Sequence, residues 1–176
     1  IEYKATLYAG IYADKFQANE SNIRLSVPMS KQIDHDLSVG LQVDADINAY
    51  NVRGLLMQTN SQISLKPSLT YLWNEATFHI GISPTLGKEF HLLPDVTVQY
   101  PLSRINSIVS AGWQSNLQLN TFKELTTLNP FMFNYAKVTQ TKHQEWFVAI
   151  KGNARQNFSF SGKTGLGLIR NLPLFI

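Results

Sequence analysis

Cysteine is absent from all 176 residues. That excludes disulfides, thiolate nucleophiles and cysteine-held metals. Charge is also scarce, at 15% Asp, Glu, Lys and Arg, where soluble domains carry roughly 25%. The net charge is +3, and most basic residues stand singly. No cationic patch suited to nucleic acid results. No run of about 18 apolar residues occurs, so membrane-spanning helices are excluded. No leader pattern opens the chain; a strand-like pattern, Glu2 to Leu7, does. This suggests a mature chain or an internal piece of a longer one. The histidines, His35, His79, His91 and His143, have no zinc-binding spacing. No metal, cofactor or catalytic residue is expected.

Aromatic residues, by contrast, reach 11%, with ten Phe, seven Tyr and three Trp. Apolar and polar residues alternate along most of the chain. From Gln62 to Gly87, the residues Ile63, Leu65, Pro67, Leu69, Tyr71 and Trp73 alternate with Ser64, Lys66, Ser68 and Thr70. After Asn74-Glu75, Ala76, Phe78, Ile80, Ile82, Pro84 and Leu86 alternate with Thr77, His79, Gly81, Ser83 and Thr85. A period of two means strands with one apolar and one polar face. Each run is roughly ten residues, the length a tilted strand needs to cross a bilayer.

The same pattern recurs in Tyr3 to Asp14, Ile23 to Ser30 and Leu37 to Ile47. It returns around Asp95 to Tyr100, Ile105 to Gln114, Trp146 to Asn153 and Phe158 to Leu168. Pro28 inside the second run points to an edge or bulge. The spacing predicts about nine strands. Short turns are expected near Asp34, Asn74, Ser103 and Gln156. Longer connections are expected near Gln17, Asn51, Lys88 to Leu93 and Thr121 to Thr141. The fold class is therefore all-β, an antiparallel up-and-down transmembrane β-barrel forming one domain over 1–176. With about nine strands it is a partial barrel, since single-chain bacterial barrels close on even numbers.

Aromatic placement fits two girdles at the headgroup levels. Tyr71, Trp73, Phe78, Tyr100 and Phe158 fall near the short-turn end. Trp113 and Trp146 flank the longest connection and are expected at the far interface. The alternate polar residues line a lumen. The charged or chemically capable ones are Arg24, Asp44, Asp46, Lys66, His79, Ser83, Lys151 and Lys163. Asp44 and Asp46 share a face, and are expected to pair with lumen cations such as Lys4, Arg24, Lys66, Lys151 or Lys163. A Ser–His hydrolase built on His79 and Ser83 is disfavoured, because four residues along a strand separate them by about 13 Å. Gly165-Leu166-Gly167 is no phosphate loop, since no helix follows; the glycines suit strand curvature or a crossing side chain.

The stretch Leu117 to Lys142 is the best functional candidate. It exceeds the roughly 15 residues usual for a structureless loop. Phe131, Met132, Phe133 and Tyr135 make it too apolar for a free one. It is expected to enter the lumen or cover the mouth, as a constriction or a partner-binding surface.

The sequences FHLLPDVTVQYPL (Phe90 to Leu102), LQLNTFKELTTLNPF (Leu117 to Phe131), FVAIKGNARQNFSFSGKTG (Phe147 to Gly165) and NLPLFI (Asn171 to Ile176) carry a resemblance. They resemble large outer-membrane barrels of Gram-negative bacteria related to TonB-dependent receptors, over roughly Ser61 to the end. The resemblance implies strands beyond Ile176, more chain before Ile1, a plug domain and an energy-coupling segment. It assigns no ligand residue. The expected partners are outer-membrane lipid and envelope proteins met through the long loops. The leading reading is passage or uptake of a polar solute across a bacterial outer membrane. A non-transporting barrel that scaffolds an envelope complex and a soluble β-sandwich binding module are the alternatives.

Overall fold

A computed structural model describes residues 1–15, 18–52, 57–129, 131, 139–153 and 158–173. The strands are β1 (Glu2–Tyr3), β2 (Thr6–Ala13), β3 (Ala18–Asp34), β4 (Leu37–Val52), β5 (Gln58–Trp73), β6 (Ala76–Leu86), β7 (Phe90–Leu102), β8 (Ser107–Leu119), β9 (Gln140–Asn153) and β10 (Ser159–Arg170). One helix, α1 (Phe122–Leu128), and a 3-10 turn at Ser103–Ile105 complete the described elements. All ten strands form a single antiparallel sheet, each beside its neighbour in sequence, except that β1 and β2 both pair with β3. Among the described residues the sheet does not close: β10 pairs only with β9, and β1 and β2 only with β3.

Pro28 explains the split between β1 and β2. Glu2 and Tyr3 face Ser30 and Met29, and Thr6 faces Ser26 in the same register. Lys4 therefore lies opposite Pro28 and donates its N–H to the Pro28 carbonyl (3.3 Å). Proline has no N–H to return the bond, so the ladder lapses there. β1 and β2 are one strand position, which brings the sheet to the number of positions the alternation predicts. Pro67 and Pro84 mark a similar gap: β5 and β6 pair at Ile63–Leu86 and Ser64–Thr85, then again only from Ser68–Gly81.

The connections differ from expectation. Asn19 to Asn22 are in β3, paired with Asn51 to Asn48 of β4. Two later strands also start earlier than the alternation does, β5 at Gln58 and β7 at Phe90. The long connections expected near Asn51 and Lys88 to Leu93 shrink to 53–57 and 87–89. The β2–β3 turn is also tight: Asp14 N–H donates to the Ala18 carbonyl (3.0 Å) and Ala18 N–H to Asp14 Oδ1 (2.9 Å). Only the β8–β9 connection remains long. Apolar alternation ends where the outward face turns polar, but the backbone ladder needs no apolar side chain to continue.

The register assigns the faces. Ile23, Ile47, Ile63 and Leu86 share the apolar face with Leu69, Ile80 and Val96. Among the described residues nothing covers this face, and its exposed side chains include Leu65, Ile82, Leu92 and Val148. The polar face curves around cavities and carries α1. Where a side chain crosses it, glycines make room: Phe147 lies opposite Gly112 on β8 and Gly165 on β10. A Cβ at Gly165 would strike the Trp146 carbonyl oxygen, and one at Gly112 would lie 2.8 Å from the Phe147 ring. Gly165→Ala is expected to destabilise the sheet by about 1–3 kcal/mol, since backbone cannot yield as a side-chain tip can. Equilibrium denaturation measures it; an unchanged midpoint would show that β10 is free to shift.

Candidate functional site

The polar face is built around two carboxylates on β4. Asp44 receives Lys66 Nζ (2.7 Å), Ser26 Oγ (2.6 Å) and Gln42 Nε2 (2.9 Å). Asp46 receives Arg24 Nε (2.9 Å) and Asn22 Nδ2 (2.8 Å). Their neighbours on β3 stand directly across the ladder, Arg24 opposite Asp46 and Ser26 opposite Asp44. Of the cations the sequence offered, Arg24 and Lys66 take these carboxylates. Lys163 instead meets Glu145 (2.6 Å), with its Nζ 4.4 Å from the centre of the Phe147 ring. Lys151 shares the polar face, opposite Ile108 and Ser161, toward the Ser103 end.

His79 is not brought to Ser83. Its Nδ1 lies 3.1 Å from Thr70 Oγ1 and its Nε2 3.6 Å from Asp95, which also accepts from Gln114 Nε2 (3.0 Å). Ser83 is buried and lines the larger cavity. That cavity, of about 810 Å³, is walled by β3 through β9, with Arg24, Asp44, Asp46, Lys66 and Asp95 among its polar groups. A smaller one of about 480 Å³ lies toward β2, beside Tyr8 and Tyr12. Arg24, Gln118 and Glu124 border both cavities.

The element between them is α1, a helix where a loop is expected from the sequence. Its start carries a capping box: Glu124 N–H donates to Thr121 Oγ1 (3.1 Å) and Thr121 N–H to Glu124 Oε2 (3.3 Å). The T-x-x-E spacing at Thr121 to Glu124 was legible as a helix start. Phe122 (0% exposed) and Leu125 pack with Ala18 and Tyr50, and the Phe122 and Tyr50 rings stack at 4.5 Å. The apolar contacts of this stretch with β3 and β4 are made by Phe122 and Leu125. Phe131 is instead 92% exposed. Met132, Phe133 and Tyr135 lie outside the described residues.

Glu20 is the residue that sequence reasoning missed. It is 4% exposed and receives the N–H groups of Phe122 on Oε1 and Lys123 on Oε2, both at 2.8 Å. Asn48 Nδ2 donates to the same Oε1 (2.6 Å). A carboxylate on the far strand thus caps the open N–H groups of the helix start. Near α1 the sheet also bridges itself. β7 pairs with β8 only as far as Asp95–Gln114. Beyond that, Gln62 Nε2 on β5 reaches the Leu117 carbonyl (3.4 Å) and Asn60 Nδ2 the Asn120 carbonyl (3.3 Å). The upper part of β8 therefore leaves β7, crosses toward β5 and delivers α1 onto β3 and β4.

The aromatic residues expected in the girdles lie on or beside the apolar face. Tyr71 pairs with Phe78, Trp73 and Phe78 approach at 6.4 Å, and Tyr100 is opposite Val109. Phe158 precedes β10 and is exposed. Trp113 and Trp146 stack at 5.9 Å, but as a cross-strand pair in the middle of β8 and β9. They do not flank the loop, because both strands continue past them to Leu119 and Gln140.

Fold and site together define an all-β, antiparallel up-and-down sheet, compatible with a barrel, whose polar concavity is divided by one helix. No family model, curated protein or solved structure matches the chain.

Proposed function

We propose that the sheet is a segment of a transmembrane β-barrel in a bacterial outer membrane, passing or taking up a polar solute along its polar face. The observation that carries this is the uncovered apolar face. Soluble proteins seldom expose an apolar patch above roughly 300–600 Å². Here an unbroken apolar row on β5 runs from Ile63 to Trp73, with Ser61 and Thr59 beyond it. At about 3.3 Å per residue that row measures ~33 Å. Tilted by ~45°, it would span ~23 Å, close to the apolar band of a membrane barrel. A sandwich would need a second sheet on this face, and the described residues supply none.

In lipid, the free edges of β2 and β10 need strand partners, because unpaired backbone groups are costly there. Further strands of a longer chain would meet that need, in keeping with the resemblance to barrels of the TonB-dependent-receptor kind. Passage would rely on the electrostatics of the polar face and on α1 as the constriction, without covalent chemistry. A scaffolding role has its own support in Leu128 and Phe131, exposed at the end of α1, where an envelope protein could seat.

The full-length protein is expected to require detergent, to change gel mobility on heating and to admit small sugars into liposomes in a size-dependent way. Water-soluble monomers would overturn the membrane assignment. Detergent-dependent protein that leaves liposomes impermeable would favour the scaffold.

A further inference from the structure

We propose that Glu20 is a latch, and that α1 is a movable partition held across the polar concavity by it. The proposal deepens the passage reading and rests on it for its purpose. Its geometry stands independently.

Three features of the site point to a latch in preference to a fixed core. First, α1 is fastened at one end: the apolar side chains it buries, Phe122 and Leu125, lie in its first turn. Its remaining side chains, from Lys123 to Leu128, are exposed or half-buried. Second, the surface under α1 is mixed: Ala18 and Tyr50 meet Phe122 and Leu125, while Glu20 and Asn48 beside them are polar groups that water can solvate if α1 departs. Third, α1 separates two cavities, of about 810 and 480 Å³, that share Arg24, Gln118 and Glu124 on their walls. Its departure would join them into one polar space.

Beside the Phe122–Tyr50 contact, what holds α1 down is the carboxylate. Glu20 gives one oxygen to Phe122 N–H and the other to Lys123 N–H. Such charge-assisted bonds are stronger than neutral ones, and burial strengthens them further. Asn48 fixes the carboxylate in place. A helix of this length is unstable without tertiary contacts, so its formation and its docking depend on the Glu20 grip together with the Phe122 packing.

Glu20→Gln is the discriminating change. The amide keeps one acceptor oxygen, but presents an N–H group to one of the two helix N–H groups and loses the charge. The readout uses the absence of cysteine. With any cysteine outside residues 1–176 replaced, Ala18→Cys places a single thiol under α1, in the cluster with Phe122 and Leu125. In the full-length protein in detergent micelles, maleimide should label this thiol at least ~10-fold faster when Glu20→Gln is added. Strand circular dichroism and heat-modifiable mobility should be unchanged. Equal labelling rates would overturn the latch. So would faster labelling that merely tracks loss of strand signal, since Glu20 would then be a residue of the whole fold. Single-channel recording separates this from the passage reading: faster labelling with no conductance in either protein leaves the latch standing and removes the pore.

Discussion

Replacing Ile80 by arginine is expected to destabilise the folded protein by about 2–4 kcal/mol in a bilayer. In water the same change should stay within about 0.5 kcal/mol. Ile80 is 54% exposed and sits in the middle of β6, beside Leu69 on β5 and Val96 on β7. An exposed isoleucine on a soluble sheet loses little when it becomes charged. On a lipid-facing strand near mid-depth, the guanidinium must stay in hydrocarbon or drag water inward. The contrast depends on the solvent of that face alone, so it tests the membrane assignment without knowing the cargo. The natural control is Gln99→Arg, on the polar face of neighbouring β7. It should be nearly neutral in both settings. Denaturant unfolding from vesicles would report both variants. A neutral Ile80→Arg in vesicles would sink the assignment.

Phe122→Ala should remove about 3–5 kcal/mol of docking free energy from α1, the usual range for a fully buried phenylalanine. The loss includes the stacked contact with Tyr50 and the tilted one with Tyr12, at 6.3 Å between centroids. The effect should be local. Helices shorter than about 12 residues do not persist alone, so α1 is expected to melt while the sheet stays. Hydrogen exchange resolves this. The amides of Leu125, bonded to the Thr121 carbonyl (3.1 Å), and Asn129, bonded to the Leu125 carbonyl (2.9 Å), should lose protection. Amides in the β4–β5 ladder should keep theirs. Retained protection at Leu125 and Asn129 would mean that Glu20 and the capping box hold α1 without the ring. Uniform loss across the sheet would mean that α1 is part of the common core.

The sheet was largely legible because alternation is a local property. Each residue of Ile63 to Leu86 shows its face by its own polarity, and the strand order follows from short turns such as Asn74-Glu75. Asn74 has φ 54, a left-handed conformation that asparagine tolerates well. Pro28 reads as an edge or bulge, but β3 is paired on both sides and runs in regular register with β4 at Pro28–Gln42; the gap falls on the neighbouring strand, between β1 and β2. Strand ends were misjudged wherever the alternation fades into polar residues, as in Asn19 to Asn22 and Asn48 to Asn51. There the ladder continues with no pattern in the side chains to reveal it. The capping box of α1 was visible at Thr121 and Glu124, but its single turn of apolar residues was hidden among the other apolar residues of the stretch.

The sequence by itself determined the all-β class, the strand order, the division into an apolar and a polar face and the cation partners available to Asp44 and Asp46. These follow from side-chain period, turn chemistry and charge, all read within a few residues. Only the tertiary structure decided where α1 lies, that β8 parts from β7 to reach β5, and that Glu20 caps a helix more than a hundred positions away (|i−j| 102). A carboxylate finds such a partner only when sheet curvature brings two distant segments together and burial removes the competing water. No local pattern encodes that meeting, because it is a property of the folded surface as a whole.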